Sequence, residues 1–253
     1  MGGELFSARH GEGGTPLVLL HGFGGSHHVW EPVAPALSRD RLVLVPDLPG
    51  HGRSLDYPGA GPIKAAVQAV LDFAEREGLS RFHLAGHSMG GAISALAALA
   101  APQRIASLTL LSPGGFGPEI NIRLLTRYAK AVTREDLRPC LEEMVGYRHP
   151  VNEHALDMLA ELRARPGQRE MLEGIAARMT RDGVQGAIPR DQLATLPMPV
   201  KVIWGAEDRV LPASQANDLP PIFAFHRFAA TGHMLIDEQS EAVIRLIGEN
   251  ARG

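Results

Sequence analysis

Apolar residues arrive along this chain in short, mostly unbroken runs separated by longer amphipathic stretches. Leu17–Leu20, Leu42–Val45, Phe82–Ala85, Leu108–Leu111 and Val200–Trp204 are too short for helices and rich in branched side chains. Strands buried on both faces read this way. Between them lie predicted helices over Trp30–Leu37, Ile63–Glu77 and the Ala/Leu-rich Ile93–Ala101. The second carries Val67, Val70, Leu71 and Ala74 on one stripe. Glu4–Arg9 is expected as a first edge strand, followed by a glycine-rich turn at Gly11–Gly14. Phe223–Phe228 is the expected last strand and Glu238–Glu249 a closing helix. Such alternation predicts an α/β fold, a mostly parallel sheet with helices on both faces. Reactive residues then belong at the carboxyl ends of the strands.

The rhythm breaks between Gly114 and about Arg190. No strand is expected there, only charged amphipathic stretches at Ile120–Val132, Glu135–Tyr147, Asn152–Ala164 and Gln168–Arg181, with Pro139 read as a first-turn proline of the second. The expectation is an α/β core of residues 1–113 and 191–253 with a helical cap at 114–190 lying over the strand ends, shaping a pocket and excluding water. A helical extension docked elsewhere is the alternative.

Composition narrows the class. At 253 residues, 45% apolar and 21% charged, the chain can bury a large core as one domain with or without an insertion. A formal net charge of −3, with basic residues scattered, gives no footprint for nucleic acid. The single cysteine, Cys140, allows no internal disulfide and fits a reducing compartment; without ligand spacing around it, it reads as an inert thiol. No basic segment followed by an apolar core opens the chain, Phe6 stands where myristoylation wants Ser or Thr, and no run is apolar enough to cross a bilayer. The expectation is a cytoplasmic protein with no membrane partner.

The chemistry centres on Gly86-His87-Ser88-Met89-Gly90. A strand that runs straight into a helix leaves one residue, here Ser88, on a very sharp turn. Glycines two before and two after remove the Cβ atoms that would clash where strand and helix pass closest. The plainer alternative is Ser88 as a helix N-cap. A serine hydroxyl needs a base, and the base an acid, and in a sheet of this order both follow the serine, acid first. Of the four histidines after Ser88, His149 and His154 lie in the helical insertion and His226 lies inside a strand. His233, in the glycine-containing loop just past the last strand, is the candidate base. Asp208 is the candidate acid, four residues past Trp204 through Gly205, with Glu207 as competitor. The backbone N–H groups of Met89 and Phe23 are the candidate oxyanion donors, since the glycines of His21-Gly22-Phe23-Gly24-Gly25 let that loop turn an amide inward. Phe23, Met89, His21 and Phe116 are the expected pocket residues, His21 chiefly as an orienting residue of its loop. Asp47–Ser54 is expected to buttress the site and His87 to pack. No metal or organic cofactor is implied, because no H-E-x-x-H, Walker loop or dinucleotide fingerprint occurs.

Together, His21–Gly25, Asp47–Ser54, Gly86–Gly91, Asp208 and His233 resemble the α/β-hydrolase family over nearly the whole chain. Within it, Gly86–Gly91, Ala101–Arg104, Ser112–Asn121 and Arg181–Gln185 resemble the C-terminal domain of the dihydrolipoamide acetyltransferase component of acetoin dehydrogenase complexes. The resemblance to hydrolases that cleave carbon–carbon bonds in meta-ring-fission products is weaker: those usually carry Asn where His87 stands and Trp where Met234 follows the base. The acetyltransferase component carries an N-terminal lipoyl domain, whereas this chain opens at the hydrolase core, so acetyl transfer to a lipoyl arm is expected only if a lipoylated partner protein supplies that arm. The resulting expectation is a serine hydrolase or acyltransferase acting through an acyl-enzyme on a small ester, thioester or related acyl substrate. The alternatives are a carbon–carbon bond hydrolase, a component of a lipoyl-dependent complex, and a non-catalytic small-molecule-binding module. A homo-oligomer is compatible with each.

Overall fold

The branched runs pair into one seven-stranded sheet. The structure, a computed structural model, describes residues 3–252. Its strands are β1 (Ser7–His10), β2 (Leu17–Leu20), β3 (Val43–Pro46), β4 (Phe82–His87), β5 (Ile105–Leu111), the short pair β6 (Thr180–Arg181) and β7 (Val184–Gln185), then β8 (Val200–Gly205) and β9 (Ala224–Phe228). The large sheet has the order β1-β3-β2-β4-β5-β8-β9. Only β1 runs antiparallel to its neighbour. Helices are α1 (Ala34–Leu37), α2 (Ile63–Arg76), α3 (Met89–Ala100), α4 (Ile122–Lys130), α5 (Arg134–Met144), α6 (Glu153–Arg163), α7 (Gln168–Met179), α8 (Arg190–Leu193), α9 (Leu235–Glu238) and α10 (Ser240–Asn250). No helix among the described residues is long and apolar enough to cross a membrane.

Alternation along the strands divides the core between the two faces. Val18, Leu20, Leu44 and Leu84 pack with Val70, Phe73 and Ile93 of α2 and α3 on one side. Leu17, Leu19, Val43 and Val45 pack with Trp30, Leu37, Val243 and Leu246 on the other, under α1 and α10. The period of two explains why an apolar run without polar gaps is stable here: each face of the sheet has its own helical cover.

Several expectations need correction. Trp30–Leu37 is not one helix: His27–Trp30 forms a 3-10 turn and α1 covers only Ala34–Leu37. Pro32 and Pro35 each lack the N–H a continuous helix would need. The edge strand begins at Ser7, not Glu4. The insertion is not strand-free: α7 ends at Met179, and β6 and β7 form a hairpin across Asp182 and Gly183, both at positive φ (55° and 82°). Asp-Gly is a strong two-residue hairpin signal, and it prevails over the helical periodicity read through Arg181. Pro139 lies in the interior of α5, because a Thr133–Asp136 capping box starts that helix at Arg134.

The approach of α3 to β4 and β2 is the closest packing that bears on the site. A Cβ on Gly90 would lie 2.5 Å from the carbonyl oxygens of Leu20 and His21, and one on Gly86 would collide with the Gly90 carbonyl and the Ser94 hydroxyl. Gly86→Ala is therefore expected to destabilise the fold by about 1–3 kcal/mol through overpacking, measured as a fall in the urea midpoint at constant m-value.

Candidate active site

Ser88 joins β4 to α3 with φ 55° and ψ −117°, a strained conformation for a residue carrying a Cβ. The turn is tied on both sides. Its N–H donates to the Leu111 carbonyl at 2.9 Å, and its carbonyl accepts from the amides of Ala92 at 3.1 Å and Gly114 at 3.0 Å. Its Oγ lies 3.0 Å from Nε2 of His233.

His233 stands in the loop between β9 and α9, and its other ring nitrogen, Nδ1, lies 2.8 Å from Oδ2 of Asp208. Oδ1 of Asp208 accepts from the amides of Val210 and Leu211, both at 2.9 Å. A carboxylate that only accepts places the ring proton on Nδ1 and leaves the Nε2 lone pair facing the Ser88 hydroxyl. Burial pushes the Asp208 carboxyl up, but His233 and the backbone amides outweigh it and hold it below the ordinary carboxylate value. Glu207, the competing acid, points elsewhere: its Oε2 accepts from the Tyr147 amide at 2.9 Å.

Sequence reasoning missed Glu238, which it treated only as the start of the closing helix. Oε2 of this buried side chain accepts from the amides of Gly232 (2.8 Å) and Gly146 (2.9 Å), and Oε1 from Met234 (3.0 Å). It thus holds the residues on either side of His233, whose own N–H donates to the Met144 carbonyl at 2.7 Å. The only cue in the sequence was an acid in the first turn after a Gly-His loop.

His21 is fully buried: Nδ1–H donates to the Gly22 carbonyl at 2.8 Å and Nε2 accepts from the Leu48 amide at 2.9 Å. It ties its loop to the next one and, contrary to its expected place in the pocket, is not among the residues that line the two cavities meeting at Ser88. Phe116 does not line these two cavities either. It packs in the core with its ring 6.4 Å from that of Trp204 and the Arg190 guanidinium 5.1 Å above it. The glycines before it, Gly114 and Gly115, face the cavity instead. Asp47 braces the neighbouring loop: Oδ1 accepts from the His27 amide at 2.6 Å and Oδ2 from the Arg53 amide at 2.7 Å.

Ser88 sits where two cavities meet. One, about 90 Å³, is lined by Phe23, His87, His233 and Met234 together with side chains of α4, α5 and α6. The other, about 440 Å³, is lined by Met89, His51, Ile93, Ile175, Ile188 and neighbouring apolar residues. The expected acyl-pocket residues Phe23 and Met89 therefore face different cavities. Met89, as the first residue of α3, has no intrahelical acceptor for its N–H, and the Phe23 amide donates to nothing among the described residues. Nε2 of His87 donates to the His233 carbonyl at 2.8 Å. Burial and the neighbouring His233 push the His87 ring down to about 3, and burial with His21 does the same to His51, also about 3.

A parallel sheet with a strained serine at a strand-to-helix turn and an Asp–His pair at later strand ends defines the α/β-hydrolase class. The sequence profile of the alpha/beta hydrolase family matches residues 17–246, and the chain belongs to that family. It is 36% identical over 233 residues to the dihydrolipoyllysine-residue acetyltransferase component of the acetoin cleaving system of Pseudomonas putida, covering 92% of this chain and 62% of that protein. The corresponding component of Cupriavidus necator is 32% identical, with 97% and 66% covered. The chain thus spans slightly under two thirds of the length of both. Among solved structures, a meta-cleavage product hydrolase from Pseudomonas fluorescens IP01 superposes with a TM-score of 0.85 at 22% identity, covering 97% of this chain and 94% of that one.

Two outcomes follow. Glu238→Ala strands three amides, two of them paired through one buried oxygen, and is expected to lower the unfolding free energy by about 3 kcal/mol, read by urea titration. His51 and His87 are neutral when folded and protonate near 6.5 when unfolded. The unfolded chain then binds more protons, so stability falls as pH drops from 6.5 toward 3, by up to about 1.4 kcal/mol per unit for each ring. His87→Asn should flatten the slope of Tm against pH over that window.

Proposed function

We propose that the protein is a serine hydrolase or acyltransferase that works through an acyl-enzyme on a small ester, thioester or related acyl substrate. The observation that carries this reading is the unbroken line of contacts from Ser88 Oγ to His233 Nε2 at 3.0 Å and from His233 Nδ1 to Asp208 Oδ2 at 2.8 Å. In it, His233 takes the Ser88 proton as Oγ attacks the carbonyl carbon, and Asp208 stabilises the imidazolium without being protonated. The amides of Met89 and Phe23 receive the charge that develops on the carbonyl oxygen, each worth about 3–4 kcal/mol in comparable sites. The imidazolium then protonates the leaving oxygen or sulfur, and water or an acceptor thiol reverses the sequence.

The path of that proton assigns the two cavities. The leaving group departs beside His233, so the cavity lined by His233 and Met234 takes the alcohol or thiol portion. The larger cavity beside Met89 takes the acyl group. Residues 114–190 act as a cap in this reading, since α4, α5 and α6 wall the first cavity and α7 the second.

Acyl transfer is the second reading. Its support is the identity to acetyltransferase components of two acetoin cleaving systems, together with a separate cavity on the side where an acceptor thiol must enter. The acceptor would be a dihydrolipoyl group carried by a partner protein. Carbon–carbon cleavage has less support, because His87 and Met234 stand where those hydrolases usually carry Asn and Trp.

Ser88→Ala is expected to lower kcat/KM for p-nitrophenyl butyrate by at least about a thousand-fold while the thermal midpoint stays within a few degrees. A fluorophosphonate should label the parent protein and not the variant. Retained turnover in the variant overturns the nucleophile, and absent labelling of the parent favours a binding module. Acceleration of p-nitrophenol release by dihydrolipoamide, with a butyryl thioester accumulating, would decide for transfer over hydrolysis.

A further inference from the structure

We propose that Asp237 is a specificity-determining residue, receiving a hydrogen-bond donor, a hydroxyl or an amide N–H, carried by the alcohol or thiol portion of the substrate. The proposal rests on the acyl-enzyme reading, which puts that portion in the cavity beside His233. That cavity is largely apolar, walled by Phe23, Leu125, Tyr128, Met144, Met158 and Met234. Two carboxylates interrupt the wall, Glu31 and Asp237.

Glu31 is already engaged. His28 Nδ1 lies 2.6 Å from its Oε1 and His154 Nε2 lies 3.6 Å from its Oε2. Asp237 is in a different position. Its one side-chain partner is Asn152, whose Nδ2 donates to Oδ1 at 2.7 Å, and no Arg, Lys or His pairs with it among the described residues. Burial raises its carboxyl above the ordinary value despite that bond, and the neighbouring Glu238 adds to the shift. A half-buried carboxyl in an apolar wall, with one of its two oxygens without a hydrogen-bond partner among the described residues, weakens the folded state at neutral pH. Cavities beside a reacting group are where such a cost is repaid, when a ligand supplies the missing donor.

A merely structural role can be separated from this one. Asn152 joins α6 to α9 through Asp237, and its own Oδ1 caps α6 by accepting from the Ala155 amide at 3.2 Å. Asp237→Asn keeps an oxygen for Asn152 to reach, so the link between the helices survives. What changes is the face toward the cavity, where an NH2 group replaces an acceptor and repels a donor.

The test compares 2-hydroxyethyl, 2-acetamidoethyl and propyl butyrate. In the parent protein, kcat/KM for one donor-bearing ester or both is expected to exceed that for the propyl ester by about ten-fold, and the arm that responds identifies the donor. In Asp237→Asn that ratio should collapse toward one, with Tm unchanged or higher. Equal values for all three esters in the parent, or a ratio that survives the substitution, overturns the proposal. So does a fall in Tm with the ratio intact, the mark of a structural link alone. Calorimetric binding of the same esters to Ser88→Ala, with and without Asp237→Asn, separates the two readings. Donor preference present in Ser88→Ala and lost when Asp237→Asn is added supports Asp237 even if Ser88 is not the nucleophile; preference absent from Ser88→Ala, or unchanged by Asp237→Asn, counts against Asp237 alone.

Discussion

The passage of β4 into α3 without a Cβ at residue 86 or 90 is the constraint on which the rest of the site depends. Those two glycines let α3 lie against the backbone of β2 and β4, and that closeness forces Ser88 into its positive-φ conformation. The strain persists because the turn is over-determined: β5 receives the Ser88 amide through Leu111, and the loop after β5 returns the amide of Gly114 to the Ser88 carbonyl. Parallel pairing of β2, β4, β5, β8 and β9 then brings their following loops to the same end of the sheet. Residues 21–25, 88, 112–115, 208 and 233 meet for that reason, although they span most of the chain.

Two buried carboxylates divide the work around His233. Asp208 fixes which ring nitrogen carries the proton, and Glu238 fixes the backbone on which the ring is mounted. Neither could do the other's task, since one reaches the ring and the other the amides of residues 232 and 234. The histidine loop is also bound to the end of α5, through the Met144 carbonyl and through Glu238 to the Gly146 amide. A shift of that helix end is therefore felt directly at His233. Under the proposed mechanism, an arrangement with so little freedom lowers the reorganisation needed during proton transfer.

Legibility in the sequence followed the range of the interaction that set each feature. The strands could be read because a branched run buried on both faces has no other stable use in a chain of this size. Ser88 could be read because its requirements, two glycines and a strand-to-helix junction, are local. Asp208 and His233 were reached through their places after β8 and β9, one step less local. Glu238 was not legible, since nothing in its neighbourhood says that a helical acid folds back onto Gly146, ninety-two residues away. Phe116 was misplaced for a related reason: the loop carrying it turns at Gly115, where φ is 78°, and delivers its ring to Trp204 and not to the cavity. The Asp182-Gly183 hairpin was legible, but the helical pattern before it obscured a turn signal of two residues.

The helical segment and the strand-end loops are joined by a seam whose chemistry bears on how the site can open. Arg163 of α6 is buried and has no carboxylate partner among the described residues; its guanidinium donates to the carbonyls of Tyr128 at 3.1 Å and of Gly24 at 3.4 Å. Tyr128 lies in the last turn of α4, where the unpaired carbonyls carry the negative end of the helix dipole, so backbone supplies the compensating charge. Arg165 donates to the Gly52 carbonyl and Gln168 to that of Gly50 at 3.0 Å. Every one of these bonds runs from a side chain of the helical segment to a backbone carbonyl, three of them in the loops after β2 and β3. Carbonyls do not titrate, so acid leaves these four bonds intact, unlike the carboxylate-held contacts of Glu207 and Glu238 with the amides of Tyr147 and Gly146. Opening the seam requires Arg163 to leave Gly24, the residue next to the Phe23 amide. Residues 114–190 are thus part of what shapes the Phe23 loop, and any motion that lifts α6 must disturb that loop as well.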